Sequence, residues 1–200
     1  LLLQETTGYK TVLAKVPGFS PVVFDKKKGQ DECCILVHDG LEAVRPSIVQ
    51  VTTKGWFTVR GGTTPPKYAP MVTVEGVRFA TVHTPPSVQS VAKRITAPRR
   101  WAAYKELMGN LKNLGLQQPC VLGGDWNISA VTDNGSNTHL PAAVFKSLGL
   151  KRVSTKAGTH GNRPIDYFGV GGVAFTFDGG PISGYKSDHR PVVATIVVEY

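Results

Sequence analysis

Hydrophobic residues along this chain fall into short runs separated by glycine- and proline-rich segments, which is typical of strands joined by turns. Lys54-Gly55 and Glu75-Gly76 each separate two such runs and indicate tight hairpins. The stretch 61–66 is a loop by composition. The pattern predicts strands at 33–38, 48–53, 56–60, 71–74, 77–83, 165–170, 173–177 and 191–198.

Two segments have helical rather than strand periodicity. From Trp101 to Leu114 the apolar residues recur on one face, which predicts a helix over 99–114. A second, shorter helix is predicted over 141–148, with Pro141 in its first turn and Gly149 at its end. With no internal repeat, low-complexity tract or linker, the pattern favours one α+β domain over residues 1–200.

The segment 121–127, Val-Leu-Gly-Gly-Asp-Trp-Asn, carries the clearest chemical signal. It is interpreted as a buried strand that ends in a tight glycine turn. On an extended backbone, residues two apart point the same way, so Asp125 and Asn127 can converge on a phosphate or a metal-bound water. Asp and Asn beside glycines are also ordinary turn residues, and this segment alone does not decide between the two interpretations.

Three other segments place polar residues at the ends of predicted strands. Asp188-His189 precedes the last apolar run, Asp166 enters the strand at 165–170, and His83 ends the strand at 77–83. A half-buried Asp166 needs a partner, and His189 would fit, with its tautomer fixed by the carboxylate. Carboxylates can hold a cation and imidazoles can move a proton near neutral pH, so these residues suit phosphate chemistry.

Taken together and in this order, the segments resemble the exonuclease–endonuclease–phosphatase superfamily, whose fold is that of deoxyribonuclease I. The resemblance covers nearly the whole chain and implies a four-layer α/β/β/α sandwich, with two mostly antiparallel sheets face to face and helices outside. His83 resembles the histidine of the deoxyribonuclease branch, where the abasic-site branch has tyrosine. The matching segments are Leu1 to Thr6, Thr81-Val82-His83, Gly124-Asp125-Trp126-Asn127, Ile165-Asp166-Tyr167 and Ser187-Asp188-His189.

The resemblance also implies metal-assisted hydrolysis of a phosphodiester. Glu5 would be the main metal ligand and Asp188 a second, and oxygen ligands suit Mg²⁺, with Mn²⁺ as a substitute.

The remaining residues would form the catalytic set. Asp125 would orient or deprotonate the attacking water, and Asn127 would donate a hydrogen bond to a phosphate oxygen. His189, held by Asp166, would bind the phosphate and stabilise the transition state, or act as the base. His83 would be the counterpart acid near the leaving group.

The chain departs from the family pattern in two places. It begins one element too late, because the family has an earlier strand with an Asn near the metal; a fragment is therefore expected. The family also has a glutamate that orients the histidine equivalent to His83, before the preceding strand. Residues 66–70 contain no carboxylate there, and Glu75 lies in the next turn.

The formal net charge of +9 and pI near 9.6 favour a polyanionic partner. Nucleic acid is the predicted partner, with DNA favoured over RNA, although an anionic membrane surface would also fit. For any single lysine, a solvated surface position is the simpler interpretation. The candidate contacts are Lys26, Lys27, Lys28, Arg99 and Arg100.

Composition limits the cellular context. No apolar stretch is long enough to cross a membrane, so no stable membrane insertion is expected. Three cysteines, two of them adjacent at 33 and 34, do not form a disulfide framework. A cytoplasmic or other reducing compartment is therefore the prediction.

The sequence leaves the substrate open. The favoured function is a metal-dependent nuclease, an endonuclease that cuts DNA with little sequence specificity. A phosphoinositide or other phosphoester phosphatase could use the same scaffold, because loops select the substrate. A non-catalytic binding or virion-associated domain is the third alternative.

Overall fold

The computed structural model describes residues 1–22, 24–55, 63–86, 88–181 and 187–197. Its strands are short, as the sequence pattern predicts. The strands are β1 (Leu2–Gln4), β2 (Phe19–Val22), β3 (Cys33–His38), β4 (Ala43–Gln50), β5 (Tyr68–Val74), β6 (Val77–His83), β7 (Cys120–Asp125), β8 (Lys151–Val153), β9 (Asp166–Gly171), β10 (Ala174–Pro181) and β11 (Val192–Val197). The helices are α1 (Lys10–Leu13), α2 (Val91–Thr96), α3 (Pro98–Lys112) and α4 (Pro141–Ser147).

The strands of the described residues form three sheets. The largest has six strands in the order β4-β5-β6-β7-β9-β8, and the others have the orders β1-β3-β2 and β10-β11. Neighbouring strands pair antiparallel except for β6 and β7, which run parallel. The parallel pair requires a long crossover, and α2 and α3 lie within it.

Both faces of the six-stranded sheet are covered. One face packs on α3 and α4 in a cluster around Leu122. The other packs on β1–β3 through Ile35 and on the β10-β11 pair through Val121. Leu13 of α1 covers the outer side of the three-stranded sheet. The layers therefore run helix, sheet, sheet, helix, as expected, with two small sheets forming the second sheet layer in the described residues.

Most predicted elements are confirmed. The strand at 33–38 has its predicted bounds, the Glu75-Gly76 turn joins β5 to β6, and both predicted helices are present. The strand predicted at 56–60 lies outside the described residues. The strand predicted at 48–53 instead runs from Ala43 to Gln50, with a register shift between Val44 and Ser47 against β5. No helix in the described part of the chain is long and apolar enough to span a membrane.

The glycines of the segment 121–127 do not form a turn, so that prediction is wrong. Gly123 and Gly124 lie within β7, paired with β6 on one side and β9 on the other. A Cβ on Gly124 would lie 2.0 Å from the carbonyl oxygen of Val82. Glycine is therefore required here for close approach of two strand backbones.

Candidate functional site

Three neighbouring strands bring polar side chains to one edge of the six-stranded sheet. His83 ends β6 and lies opposite Asp125, which ends the parallel strand β7. Asp125 in turn lies opposite Asp166, which begins the antiparallel strand β9. A cavity of about 280 Å³ opens at this edge. Its lining includes Glu5, His83, Asp125, Asn127 and His189, all predicted site residues.

Asp125 and Asn127 converge as predicted, but not on an extended backbone. Asn127 has a φ of 52°, in the left-handed region that Asn tolerates better than most residues. The backbone N–H of Asn127 donates to Oδ1 of Asp125 at 2.8 Å. Asn127 Nδ2 donates to Oδ2 of Asp125 at 3.2 Å and to the Thr84 carbonyl oxygen at 3.0 Å. A turn closed by the Asp125 carboxylate therefore joins the two side chains.

The Asp125 carboxylate is the most deeply placed acid of the cavity. The residue is 7% exposed, and burial raises the pKa of its carboxyl group. His83 opposes this rise, because its Nε2 lies 3.5 Å from Oδ2 of Asp125. A carboxylate in this position can orient a water molecule or accept a proton from it.

His189 is paired with Asp166, as predicted. Its Nδ1 lies 2.9 Å from Oδ2 and 3.1 Å from Oδ1 of the carboxylate. Asp166 is itself fixed, because its backbone N–H donates to the hydroxyl of buried Thr159 at 3.0 Å. The hydrogen bond to Asp166 raises the pKa of His189 to about 9, against a lowering by burial. His189 is therefore an imidazolium at neutral pH.

We expect Asp166→Asn to lower the pKa of His189 from about 9 toward its ordinary value of 6.5. The amide cannot supply the negative charge that stabilises the imidazolium. Because the folded-state pKa is raised, the pair stabilises the fold fully below about pH 6.5, and this contribution is lost as the pH rises through about 9. An NMR titration of the His189 ring in metal-free protein measures the shift. An unchanged pKa in Asp166→Asn would contradict this origin.

A carboxylate that the sequence analysis missed holds His83. Glu32 lies in a 3₁₀ turn at Gln30–Glu32, directly before β3, and its Oε1 lies 3.0 Å from Nδ1 of His83. Glu75, the alternative considered, instead accepts a hydrogen bond from the backbone of Glu42. Burial lowers the pKa of His83, and the nearby Lys67 lowers it further. The sequence shows only that Glu32 directly precedes the largely apolar strand β3, and it does not show that its partner is His83.

The predicted metal ligands Glu5 and Asp188 lie at the exposed rim of the site. Their side chains are 80% and 81% exposed. Glu5 Oε1 is 3.9 Å from Nε2 of His83, and Asp188 Oδ2 is 3.4 Å from Nε2 of His160. Exposed carboxylates are oxygen donors of the kind that Mg²⁺ or Mn²⁺ prefers, and the chemistry of these two side chains fits such an ion.

Two groups of acidic and histidine side chains in the described residues have ligand atoms close enough to hold a metal. One is His160, Asp188 and His189, and the other is Asp125, Asp166 and His189, with ligand atoms within 4.8 Å of one another. Glu5 belongs to neither group. Its proposed role as the main ligand therefore remains a prediction.

His160 and Arg163 also line the cavity. An Nη of Arg163 lies 3.0 Å from Nδ1 of His160, and the His160 and His189 rings are 4.7 Å apart. Neither residue belongs to the catalytic or metal-binding set predicted from the sequence. The other two histidines lie elsewhere: His38 packs on Phe19, and His139 on Trp101.

The predicted nucleic-acid contacts lie outside the cavity. Lys26, Lys27 and Lys28 are exposed, and Lys27 and Lys28 line a neighbouring cavity of about 380 Å³ that Glu32 also lines. Arg99 and Arg100 lie in the first turn of α3. Contact of these five residues with nucleic acid remains a prediction.

The geometry can be compared with solved structures. The catalytic domain of human Nocturnin, with bound sulfate, has a TM-score of 0.56 and 15% identity, covering 98% of this chain and 80% of that one. The 3′ phosphatase NExo from Neisseria, bound to a product DNA hairpin, has a TM-score of 0.55 and 15% identity, covering 99% of this chain and 88% of that one. Truncated TDP2 from Caenorhabditis elegans has a TM-score of 0.53 and 17% identity, covering 99% of this chain and 84% of that one.

No protein-family model and no curated protein sequence matches the chain. The three solved structures are members of the deoxyribonuclease I-like superfamily. Their similarity over almost the whole chain shows that it has this fold, which confirms the resemblance at the level of structure. At these identities the comparison establishes the fold alone.

Proposed function

We propose that this protein is a divalent-metal-dependent phosphodiesterase that hydrolyses nucleic acid, DNA in preference to RNA. One observation carries the proposal. Two histidines reach the same cavity as the buried carboxylate of Asp125, and each has its Nδ1 held by a separate carboxylate. Such an arrangement offers a proton-transfer group or an anion-binding group on each side of a water-orienting carboxylate.

His189 suits the phosphate-binding role. Its ring is cationic at neutral pH because Asp166 stabilises the charge. A cation next to a phosphate oxygen would stabilise the additional negative charge of the transition state. Asp166 would keep the ring in one orientation throughout, as the carboxylate of a catalytic triad does.

Asp125 and His83 would handle protons. Asp125, buried and bonded to the Asn127 backbone, would orient the attacking water. His83 has its Nδ1 on Glu32, so Nε2 is the ring atom that faces the cavity and can exchange a proton near the leaving oxygen. Asn127 would donate to a phosphate oxygen after its 3.2 Å bond to Asp125 gives way, while its bond to Thr84 keeps the amide in place.

Glu5 and Asp188 would hold the cation, Mg²⁺ or Mn²⁺. A divalent cation, when bound, supplies positive charge that offsets the charge of the phosphodiester and of its leaving oxygen. The two carboxylates are exposed and have room to reorient toward an ion.

Charge favours a nucleic acid as the substrate. The chain carries a formal net charge of +9, and exposed lysines lie beside the catalytic cavity. Among the structures of this fold, the Neisseria enzyme is described as a 3′ phosphatase with a DNA hairpin product. A polyanion would be attracted to this surface more strongly than a small neutral ester.

A panel of substrates tests the proposal. With Mg²⁺ or Mn²⁺, the protein should nick supercoiled plasmid DNA, and EDTA should stop the reaction. Duplex DNA, RNA and a phosphoinositide are assayed in parallel. The products are separated, and the chemical nature of their ends is determined. Hydrolysis of the phosphoinositide with DNA and RNA left intact would refute the nuclease assignment. No hydrolysis of any substrate would favour a binding domain.

Binding should depend strongly on salt, because phosphate contacts rather than base edges are expected to dominate. We expect Lys28→Glu and Arg100→Glu each to flatten the slope of log affinity against log salt by about one unit. Lys146→Glu on α4 is the matched control and should leave the slope unchanged. Fluorescence anisotropy with a random duplex measures the slopes, and equal slopes in all three variants would remove Lys28 and Arg100 from the interface.

A further inference from the structure

Behind His83 lies a buried lysine that the proposed chemistry does not use. The side chain of Lys67 is 6% exposed, and its ammonium forms an ion pair with Oε1 of Glu32, whose side chain is 14% exposed. Burial lowers the pKa of Lys67 to about 8. A lysine is rarely buried this far from water unless a paired carboxylate offsets the loss of hydration.

The backbone of Lys67 is held in place directly before β5. Its N–H donates to the hydroxyl of Thr52 at 2.8 Å, and its carbonyl oxygen accepts from the N–H of Val51 at 2.8 Å. Thr52 is 1% exposed. The ammonium that pairs with Glu32 therefore extends from a residue whose backbone N–H and carbonyl oxygen are both hydrogen-bonded.

One carboxylate oxygen of Glu32 contacts both Lys67 and His83. Oε1 pairs with the Lys67 ammonium and lies 3.0 Å from Nδ1 of His83. The three groups thus form a chain from the protein interior to the cavity, ending at Nε2 of His83. The Glu32 carboxylate has alternative partners, because Glu32 also lines the 380 Å³ cavity, where Lys27 and Lys28 offer other cations.

We propose that Lys67 is a positioning residue that keeps the Glu32 carboxylate on His83 rather than in the neighbouring cavity. Lys67 touches no reacting group; it acts through Glu32 on the orientation of the His83 ring. The expected effect of Lys67 on kcat rests on the proposed hydrolase function, whereas its effect on the hydrogen bond at His83 Nδ1 does not.

Two measurements on the same variants keep these consequences separate. Lys67→Met removes the ammonium at similar volume, Lys67→Arg retains a cation, and Lys146→Met is the control on α4. The first measurement is the ¹⁵N NMR spectrum of the His83 ring at fixed pH in metal-free protein, which reports the hydrogen bond at Nδ1. The second is the separation of kcat from KM on a nucleic acid substrate.

We expect Lys67→Met to lose the His83 Nδ1–H signal and to lower kcat about tenfold or more, with KM little changed. Lys67→Arg should retain the signal and most of kcat, and Lys146→Met should match the wild type. In a Glu32→Gln background, Lys67→Met should have little further effect, because the link is already broken. If Lys67→Met does not fold, Lys67→Gln gives the same comparison.

Two results would overturn the proposal. A lower melting temperature with unchanged His83 resonances and kcat would make Lys67 a purely structural residue. A higher KM with unchanged kcat would make it a substrate contact. If the wild type hydrolyses nothing, the proposed function fails, and the NMR comparison still decides whether Lys67 positions His83.

Discussion

Replacing His189 with alanine should lower turnover by at least ~10²-fold, the range that a general acid–base or charge-stabilising group contributes. The ring is a cationic group of the cavity, and Asp166 cannot replace it, because a carboxylate would repel the phosphate. Folding should change little, by about 1 kcal/mol or less, since the ring is one-third exposed. Single-turnover kinetics and thermal melts measure the two effects.

A graded series sharpens this prediction. Asp166→Asn should do similar but milder damage, because the ring stays and only its orientation and charge are disturbed. His38→Ala is the matched histidine control, since His38 ends β3 at the opposite end from Glu32 and packs on Phe19. Near-wild-type cleavage by His189→Ala would remove His189 from the mechanism.

Gly124→Ala should destabilise the fold by about 3 kcal/mol or more, among the largest effects expected of a single methyl group. The added Cβ would lie 2.0 Å from the Val82 carbonyl oxygen, which belongs to the backbone of β6 and cannot rotate away. Relief requires β6 and β7 to separate. Because these strands carry His83 and Asp125, activity should fall as well.

Gly109→Ala is the matched control for this substitution. Gly109 lies within α3, and a Cβ there would meet nothing within 4 Å. Alanine is the better helix former, so stability should rise by about 0.5–1 kcal/mol. Urea denaturation measures both variants. A Gly124→Ala protein as stable as the wild type would mean that the β6–β7 spacing is less restrictive than the structure indicates.

The fold was predictable where local pattern and tertiary packing agree. The strand at 33–38 is apolar and buried on both faces from Cys33 to Val37, and the Glu75-Gly76 turn adopts the positive φ values that suit a two-residue hairpin. The beginning of β4 was not predictable in this way. Its residues near Ala43 are exposed, and pairing with β5 rather than burial defines the strand.

The candidate site was predictable in part for a different reason. His83, Asp125 and Asp166 stand at strand ends, so strand order alone brings them together once β6, β7 and β9 are neighbours. Glu32 was missed because its contact with His83 crosses between sheets, over a sequence separation of 51 residues. No local pattern encodes such a contact, and only the packing of the two layers reveals it.

We propose that one cavity of this protein holds both the metal and the phosphate. A crystal of the protein grown with Mn²⁺ and inorganic phosphate tests it directly, because anomalous scattering locates the ion. We expect Mn²⁺ bound by Glu5 with Asp188 beside it, and phosphate on His189 within the same cavity. Manganese bound only by His160, Asp188 and His189, or phosphate bound away from His189, would contradict the account.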